Sequence, residues 1–452
     1  MSKITVVGAG LAGCEAAWQC AERGVPVTLI EMKPLARTPA HHSDDFAELV
    51  CSNSLRGDRA ENAPGLLKAE LRRAGSLILR AADACRVPAG GALAVDRDGF
   101  SRRVTEIIYS HPLITVKAEV CEKIPDGDCI IATGPLTGGA LAADIDGFFD
   151  GTGYLAFYDA AAPLIAADSI DMDFAFIGNR YGDGEGDYIN CPMTKEEFTA
   201  FHTELINARE APVHGFEDRL VFEGCMPVEV MARRGQDTLR FGTMRPVGLR
   251  DPRTGKGAYA VVQLRRDNAA GSVYNIVGFQ THLAFPEQKR VFSMIPALGR
   301  AEFLRYGVMH RNSFLCSPKL LDRYFHAKKE SRVGFAGQLT GVEGYVESTA
   351  SGLMSGICAA RRLRGLPPVD FPDDCMTGAL ASYIANAASE RFQPMNSNFG
   401  LLPPLADPPR DKKEKYRAMA ARAMASFESV MPEIMRLRDK NSHSITKEGI
   451  PL

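Results

Sequence analysis

A glycine-rich turn close to the N-terminus constrains the fold of this chain more than any other feature. The turn, Gly8-Ala9-Gly10-Leu11-Ala12-Gly13, follows the apolar run Ile4 to Val7. A second apolar run, Val27 to Ile30, comes after it and is closed by the acidic residue Glu31. The order of strand, glycine turn, helix, strand and acid predicts a dinucleotide-binding unit. An ordinary strand-to-helix turn is the alternative.

Each glycine of the turn has its own role in such a unit. Gly8 permits the tight turn, Gly10 lets a pyrophosphate approach the backbone, and Gly13 lets the helix lie close to the strand. The N-terminus of the helix then directs its amide groups and the positive end of its dipole at the phosphates. Glu31 lies eighteen residues after Gly13, where a carboxylate can accept hydrogen bonds from a ribose.

Composition limits the class of protein. The chain has 452 residues, 45% hydrophobic and 24% charged, and is long enough for two or three domains with complete cores. A formal net charge of -2 excludes a polycation, so any nucleic-acid contact must come from a local basic patch. The N-terminus has no basic leader, and no apolar run approaches the ~20 residues that a membrane helix needs. We therefore expect a cytoplasmic protein without a membrane partner.

Eleven cysteines are scattered along the chain without any C-x-x-C pair. This pattern favours reduced thiols over a disulfide framework or a structural zinc site, and no metal site is predicted. Base rates favour a packing role for each cysteine. Two of them have polar or loop-like neighbours, namely Cys51, which precedes Ser-Asn-Ser, and Cys225, which lies between Gly and Met-Pro. An ordinary thiol is only about 3% ionised at pH 7, so a nucleophile here needs a base or a cation such as Arg56 or Arg234.

Two later apolar strands also end in glycine turns. One is Cys129-Ile130-Ile131, and the other begins at Val333. Small residues from Ser348 to Leu363 predict a helix after the second turn, with its N-terminus placed to face a phosphate or a flavin ring. The residues predicted to contact the cofactor in these turns are Gly134, Gly337, Gln338, Gly341 and Gly344.

Three nucleotide-type pieces, at the start, near 130 and near 337, predict an α/β fold. We expect one doubly wound, Rossmann-like flavin-binding domain, residues 1–150 and 325–452, interrupted by an α+β insertion domain, residues 151–324, on the substrate side. The insertion contains the alternating runs Tyr259 to Leu264 and Val273 to Phe279. Since only one complete G-x-G-x-x-G motif occurs, a stable NAD domain is not expected. A proline-rich stretch, 403–410, precedes a basic amphipathic helix at about 411–438.

Residues 229–267 form a basic stretch. They contain nine basic and four acidic residues, a net charge of +5, with Phe241 and Tyr259 interleaved. Basic residues with aromatic neighbours are typical of RNA-binding surfaces, although a solvated surface is an equal alternative. The candidate RNA contacts are Arg233, Arg234, Arg240 and Arg245.

Several long motifs resemble one family along nearly the whole chain. The motifs are His41-His42-Ser43, Leu49-Val50-Cys51-Ser52-Asn53-Ser54, Val95-Asp96-Arg97, Phe222-Glu223-Gly224-Cys225-Met226-Pro227, Arg240-Phe241-Gly242-Thr243-Met244-Arg245-Pro246, Asn275-Ile276-Val277-Gly278-Phe279-Gln280-Thr281, Gly337-Gln338-Leu339-Thr340-Gly341-Val342-Glu343-Gly344-Tyr345 and Asn396-Ser397-Asn398-Phe399-Gly400-Leu401-Leu402-Pro403. They resemble the folate- and flavin-dependent tRNA (uracil-5-)-methyltransferases.

The resemblance implies the reaction and its cofactors. It implies C5-methylation of the T-loop uridine of tRNA, position 54, to ribothymidine. It also implies a tightly bound FAD, 5,10-methylenetetrahydrofolate as carbon donor, and NADPH or NADH as a transient reductant. Reduced FAD would supply electrons and is thought to carry the methylene group. The tRNA T-arm would be the partner, and no stable protein partner is implied.

Uracil C5 becomes nucleophilic once a thiolate adds at C6, and a base must later remove the C5 proton. With the resemblance, we predict Cys225 as the nucleophile and Cys51 as the base, with the reverse order left open. For the folate pterin we predict contacts from His310-Arg311-Asn312 and from the segment Glu343 to Glu347, with surface polarity as the alternative.

Three other functions remain open from the sequence. The related wobble-uridine carboxymethylaminomethyl enzymes share the flavin domain but are substantially longer. A non-catalytic, flavin-stabilised RNA-binding protein and a general flavin oxidase are the alternatives from other classes.

Overall fold

The computed structural model describes residues 2–151, 154–160, 162–180, 186–211, 226–307 and 309–438. Up to residue 148 the elements are β1 (Ile4–Val7), α1 (Leu11–Ala21), β2 (Val27–Glu31), β3 (Ser54–Gly57), α2 (Ala63–Arg73), α3 (Leu77–Ala84), β4 (Arg86–Val87), β5 (Ala92–Val95), α4 (Arg97–Ser110), β6 (Ile114–Ala118), β7 (Cys129–Ile131) and α5 (Gly139–Phe148).

The remaining elements follow in two groups. Up to residue 315 they are β8 (Tyr154–Ala160), β9 (Leu164–Ala166), β10 (Phe176–Gly178), β11 (Tyr188–Met193), α6 (Lys195–Asn207), α7 (Val228–Arg233), α8 (Gln236–Phe241), β12 (Ala260–Arg266), β13 (Val273–Ile276), α9 (Phe285–Phe292), β14 (Phe303–Arg305) and β15 (Met309–Leu315). The last are α10 (Ser317–Leu320), β16 (His326–Ala327), β17 (Glu330–Phe335), α11 (Tyr345–Leu363), α12 (Met376–Asn386) and α13 (Lys412–Met435).

The first sheet has six strands in the order β16-β17-β7-β1-β2-β6. β1 pairs in parallel with β2 and β7, and β17 pairs in parallel with β7. Later strands are therefore added on both sides of β1. The place where the strand order reverses is the switch point, at which doubly wound folds bind ligands. The α/β prediction is confirmed, and the three predicted nucleotide-type strands lie side by side as β17, β7 and β1.

Glycines let helices α1 and α11 cross closely behind this sheet. A Cβ at Gly352 would overlap the carbonyl oxygen of Ala12, and one at Gly356 would lie 2.7 Å from the carbonyl oxygen of Ala16. Every residue of α1 is buried, because the sheet covers one side and α11 another. The small residues predicted after 348 thus serve helix packing.

Two predicted boundaries differ from the structure, each for a local reason. Helix α11 begins one turn earlier than Ser348, because the Ser348 amide already donates to the carbonyl oxygen of Gly344 at 2.9 Å. Strand β13 ends at Ile276, short of the predicted Phe279, because Gly278 has a φ of +75° and turns the chain. The C-terminal helix is confirmed as α13.

The second sheet is antiparallel, with six strands in the order β10-β11-β12-β13-β9-β14. It has its own hydrophobic core, in which the sheet packs against helices such as α6 and α9. An antiparallel ribbon of β8 and β15 links the chain into and out of this region. The division into domains at 150 and 325 stays a prediction.

Within the described residues, no helix has the length and apolar character needed to span a membrane.

Candidate functional site

The predicted nucleotide turn has the geometry that its glycines require. Gly8 has a φ of +95°, and a Cβ there would lie 2.7 Å from the carbonyl oxygen of Ala132. A Cβ at Gly13 would overlap the carbonyl oxygen of Gly8, whereas one at Gly10 would meet nothing within 4 Å. Two glycines are therefore needed by the fold itself. The third leaves open space at the N-terminus of α1, which has no side-chain cap.

Glu31 has a structural contact besides its predicted one. Its buried carboxylate accepts hydrogen bonds from the amide of Ala9 at 2.6 Å and from the amide of Lys33 at 3.0 Å. The side chain therefore ties the end of β2 to the glycine turn. A carboxylate has about four acceptor positions, so two remain for a ribose hydroxyl, and that role stays a prediction.

Gly134 and Gly337 lie in the turns that follow β7 and β17. Both have positive φ, +75° and +81°. A Cβ at Gly134 would meet nothing within 4 Å, and one at Gly337 would lie 3.1 Å from the Cβ of Ala12. The amide of Gly337 donates to the Ser351 hydroxyl at 2.7 Å, which joins the turn to α11. Gly337 thus lies against the first turn of α1, and cofactor contact by Gly134 and Gly337 stays a prediction.

The next two glycines are needed by the chain itself. A Cβ at Gly341 would lie 2.5 Å from the ring of Phe392, and one at Gly344 would overlap the carboxylate of Glu347. The Gln338 amide donates to the buried Glu343 carboxylate at 2.5 Å. Cofactor contact by Gln338, Gly341 and Gly344 stays a prediction.

Cys51 lies beside the third nucleotide-type piece. The phenol oxygen of Tyr345, the first residue of α11, accepts hydrogen bonds from the amides of Cys51 at 2.8 Å and Ser52 at 3.2 Å. The thiol-bearing residue is half-buried. The fold thus brings a cysteine from early in the chain next to the glycine turn near 337.

Two buried arginines hold the loop that carries Cys51. Arg97 donates to both carboxylate oxygens of Asp267, at 3.0 and 2.9 Å, and to the carbonyl oxygen of Leu49. Arg265 donates to Asn53 Oδ1 at 3.2 Å and to Ser52 Oγ at 2.8 Å. Since Arg265 and Asp267 belong to or follow β12, the second sheet fixes a loop of the first.

Burial and neighbouring charges shift the pKa values of three side chains around Cys51. Burial works to lower the pKa of Arg97, but Asp267 outweighs it and the pKa is raised. Burial lowers the pKa of Arg265, which Tyr188, Asp267 and Cys51 partly oppose. Burial raises the pKa of Tyr345, and Cys51 adds to that shift.

Sequence reasoning did not find these cations beside Cys51. It proposed Arg56, whose guanidinium instead forms an ion pair with Glu347 at 3.5 Å. Arg97 stands in the motif Val95-Asp96-Arg97 and Arg265 in the basic stretch, but neither pattern connects its arginine with Cys51, which lies far away along the chain.

Cys225 lies outside the described residues, which resume at Met226. The segment after it is well anchored. The amide of Val228 donates to the carbonyl oxygen of Gln280 at 2.7 Å, and the buried Glu229 accepts from the His282 amide at 2.7 Å.

The basic stretch does not form a single face, which corrects one expectation. Arg265 is buried against the Cys51 loop, so it cannot meet solvent with the others. Arg240 stacks on Tyr259, 3.8 Å from the ring centroid, and Arg233 pairs with Glu210. Phe241 is 75% exposed. RNA contact by Arg233, Arg234, Arg240 and Arg245 stays a prediction.

The folate candidates fall into two groups. His310, Arg311 and Asn312 lie on β15, where Asn312 is buried; the side chains of the first two lie outside the described part. Glu343 and Glu347 are both buried, so surface polarity is the wrong interpretation for them. The Glu347 carboxylate accepts from the amide and hydroxyl of Ser397 at 2.8 and 2.6 Å.

A stack of three aromatic rings was not foreseen. Phe285 lies over Tyr306 at 5.1 Å between centroids, and Tyr306 lies over Phe303 at 5.6 Å, with interplanar angles of 16° and 10°. Phe285 is 50% exposed, so the stack offers a ring to a planar ligand. The three residues are spread over two elements, and no periodicity connects them.

Among the described residues, no group of three or more potential metal-ligating side chains occurs.

Comparison with known proteins gives concordant similarities. The family model described as glucose inhibited division protein A matches residues 3–367. A protein of Enterococcus faecalis named methylenetetrahydrofolate–tRNA-(uracil-5-)-methyltransferase TrmFO is 60% identical over 422 residues, 93% of this chain and 97% of the relative. A protein of the same name from Halalkalibacterium halodurans is 57% identical over 95% of this chain and 99% of its own. The solved structure of Aquifex aeolicus GidA, form I, has a TM-score of 0.67 at 15% identity, covering 98% of this chain and 79% of that one.

Proposed function

The chain belongs to the family of methylenetetrahydrofolate–tRNA-(uracil-5-)-methyltransferases, TrmFO, and from this premise we propose that it converts the T-loop uridine of tRNA, position 54, to ribothymidine. The enzyme methylates C5 of uracil in tRNA with methylenetetrahydrofolate as the carbon donor. The observation that supports the thiol chemistry proposed below is the position of Cys51, held by Tyr345 beside the nucleotide turns.

The residues at the switch point of the first sheet fit FAD. Gly10 leaves open space at the uncapped N-terminus of α1, where a pyrophosphate would lie, and Glu31 at the end of β2 has acceptor positions for a ribose. Bound FAD, reduced transiently by NADPH or NADH, would supply the electrons that convert a methylene group into a methyl group.

The two cysteines would divide the chemistry on the uracil ring. The Cys225 thiolate forms an S–C6 bond, which places the displaced electron pair at C5 for attack on the one-carbon unit. Once C5 carries the methyl group, the Cys51 thiolate takes the C5 proton and the S–C6 bond breaks. Arg97 and Arg265, whose side chains hold the loop around Cys51, are the cations that would favour the thiolate form of such a base.

We propose that the tRNA binds on the side of the molecule formed by the second sheet and its helices, and that the folate binds near the ribbon of β8 and β15. We assign phosphate contacts to Arg233, Arg234, Arg240 and Arg245. Replacing Arg233 and Arg234 together by Gln should weaken tRNA binding and lower its salt dependence without removing flavin. For folate we retain His310, Asn312 and Glu343 as candidates.

One assay tests the proposed function. The purified protein is incubated with unmodified tRNA transcript, NADPH and labelled methylenetetrahydrofolate, and the nucleosides are analysed. Labelled ribothymidine is expected, and a transcript with cytidine in place of the T-loop uridine should remain unlabelled. Label at the wobble position would favour the carboxymethylaminomethyl alternative. Oxidation of NADPH without any labelled nucleoside would favour a flavin oxidase, and tRNA binding without either reaction a binding protein.

A further inference from the structure

Three stacked aromatic rings at the edge of the second sheet leave their outermost ring open to solvent. Phe285, the first residue of α9, lies over Tyr306, and Tyr306 lies over Phe303 of the edge strand β14, with ring planes 16° and 10° apart. Phe285 is 50% exposed, whereas the two residues beneath it are half-buried. One face of the Phe285 ring is covered by Tyr306, so its exposed area lies on the outside of the stack.

Buried hydrogen bonds hold the stack in place. The side-chain amide of Gln288 is fully buried, and its Nε2 donates to the carbonyl oxygens of Leu283 at 2.7 Å and Gly307 at 2.8 Å, while its Oε1 accepts from the Gly307 amide at 2.8 Å. Leu283 lies two residues before Phe285, and Gly307 directly follows Tyr306. One side chain therefore fixes both segments that carry the stacked rings. A ring that is already ordered loses little conformational entropy when it binds a ligand.

The stack adjoins cationic side chains. Arg209 is exposed, and its carbonyl oxygen accepts a hydrogen bond at 3.0 Å from the amide of Ala284, the residue before the outermost ring. Lys289, one helical turn after that ring, is exposed and forms no ion pair within the described part of the chain. Glu210, next to Arg209, pairs with Arg233, one of the candidate RNA contacts. The ring stack is therefore continuous with the surface proposed for tRNA.

The stack also lies within reach of an RNA bound at the nucleotide turns. The Ser313 amide of β15 donates to the carbonyl oxygen of Pro135, next to Gly134, at 2.8 Å. Tyr306 comes seven residues before Ser313, so the two lie at most about 25 Å apart. A nucleic-acid strand that rises about 3.4 Å per nucleotide covers this distance in about seven nucleotides. A uridine at the turns and a base at the stack can therefore belong to the same arm of one tRNA.

We propose that the outer face of Phe285 is a stacking platform for an unpaired base of the tRNA substrate, other than the uridine that is methylated. The inference rests on the proposed function and adds a base contact to the phosphate contacts assigned to the arginines. Proteins that recognise single-stranded or loop RNA stack unpaired bases on aromatic rings and bind the phosphates with Lys and Arg. The open ring, its rigid support and the exposed Arg209 and Lys289 beside it match that chemistry.

The first test measures tRNA binding. The Kd of the purified flavoprotein for a fluorescein-labelled, unmodified tRNA transcript is determined by fluorescence anisotropy at several salt concentrations. Phe285→Ala should bind about tenfold more weakly at every salt concentration, with an unchanged slope of log Kd against log salt, because stacking neutralises no phosphate. Phe285→Leu restores apolar volume without a planar ring and should bind as weakly, whereas Phe285→Tyr should bind like the parent. The matched control is Phe174→Ala, because Phe174 is 52% exposed and stacks on no described ring.

The second test reports the contact directly. Phe285→Trp places an indole in the stack, and the one tryptophan of the parent, Trp18, is buried in α1. The emission of the added indole should be quenched when the tRNA transcript binds, because a nucleobase stacked on an indole quenches its fluorescence. Phe174→Trp should show no such quenching.

Flavin absorbance and circular dichroism check that each variant is folded. A parent-like Kd in Phe285→Ala or in Phe285→Leu, or equal quenching in Phe174→Trp, overturns the proposal. A parent-like Kd for tRNA together with a raised KM for methylenetetrahydrofolate in Phe285→Ala would also overturn it and assign the stack to folate. Binding does not require turnover. A parent that makes no ribothymidine but binds tRNA through Phe285 would reject the proposed function alone, and a parent that makes ribothymidine with a Phe285-independent Kd would reject the platform alone.

Discussion

At Gly10 the chain leaves room that its own fold does not use. The residue has a φ of -72°, which any amino acid can adopt, and a Cβ would meet nothing within 4 Å. We therefore expect Gly10→Val to fold with a melting temperature close to the parent but to lose FAD, because the side chain enters the pyrophosphate path. The ratio of flavin to protein absorbance measures this. Gly147→Val, at another open glycine, should keep its flavin; a normal flavin content in Gly10→Val would reject the site.

The two cysteines make a second prediction at the residue scale. With 5-fluorouracil at the target position the C5 substituent cannot be removed as a proton, so enzyme and RNA should remain covalently joined. Cys225→Ala should abolish this adduct and retain flavin, whereas Cys51→Ala should form the adduct but no ribothymidine. Cys85→Ala, also at a half-buried thiol, is the control; it should form the adduct with 5-fluorouracil RNA and should make ribothymidine in normal tRNA. Denaturing gels detect the adduct, and nucleoside analysis detects ribothymidine. If Cys51→Ala loses the adduct and Cys225→Ala keeps it, Cys51 is the nucleophile and Cys225 the base.

At the scale of elements, helix α12 begins on a carboxylate supplied by α2. Glu70 is fully buried and accepts hydrogen bonds from the amides of Met376 at 2.7 Å and Thr377 at 2.8 Å. Burial raises the pKa of Glu70 to about 7, against the opposing effect of these hydrogen bonds. A raised pKa means that the folded state holds the proton more tightly than the unfolded state. The contribution to stability is therefore complete below about pH 4.5 and is lost as the pH rises through about 7.

Glu70→Gln removes this titration. We expect the difference in free energy of unfolding between this variant and the parent to change with pH. The parent should lose stability relative to the variant between about pH 5 and about pH 8. Urea unfolding at both values measures the difference. Glu196→Gln, at an exposed position, should show the same offset from the parent at both pH values. A pH-independent offset for Glu70→Gln would contradict the shifted pKa.

At the scale of the whole molecule, the Arg97–Asp267 pair joins the two sheets and the Cys51 loop. Both side chains are buried, so Asp267→Ala leaves an unpaired guanidinium and should lower the free energy of unfolding by about 3–5 kcal/mol. Because Arg97 also donates to Leu49, methylation should fall as well. Glu428→Ala breaks the exposed pair with Arg73 and should change neither quantity appreciably. Equal unfolding midpoints for the two variants would show that the buried pair is not what couples the sheets.

The amino-acid sequence by itself determined the βαβ unit from Ile4 to Glu31, the later strands that end near 134 and 337, and the helix α13. These features depend on local periodicity and on glycines whose conformations are set within a few residues. Only the tertiary structure decided which side chains surround Cys51. Tyr345 lies 294 residues from it, and Arg265 comes from another sheet. Such contacts depend on how the sheets pack, because charge pairing between distant segments leaves no periodic trace in the chain.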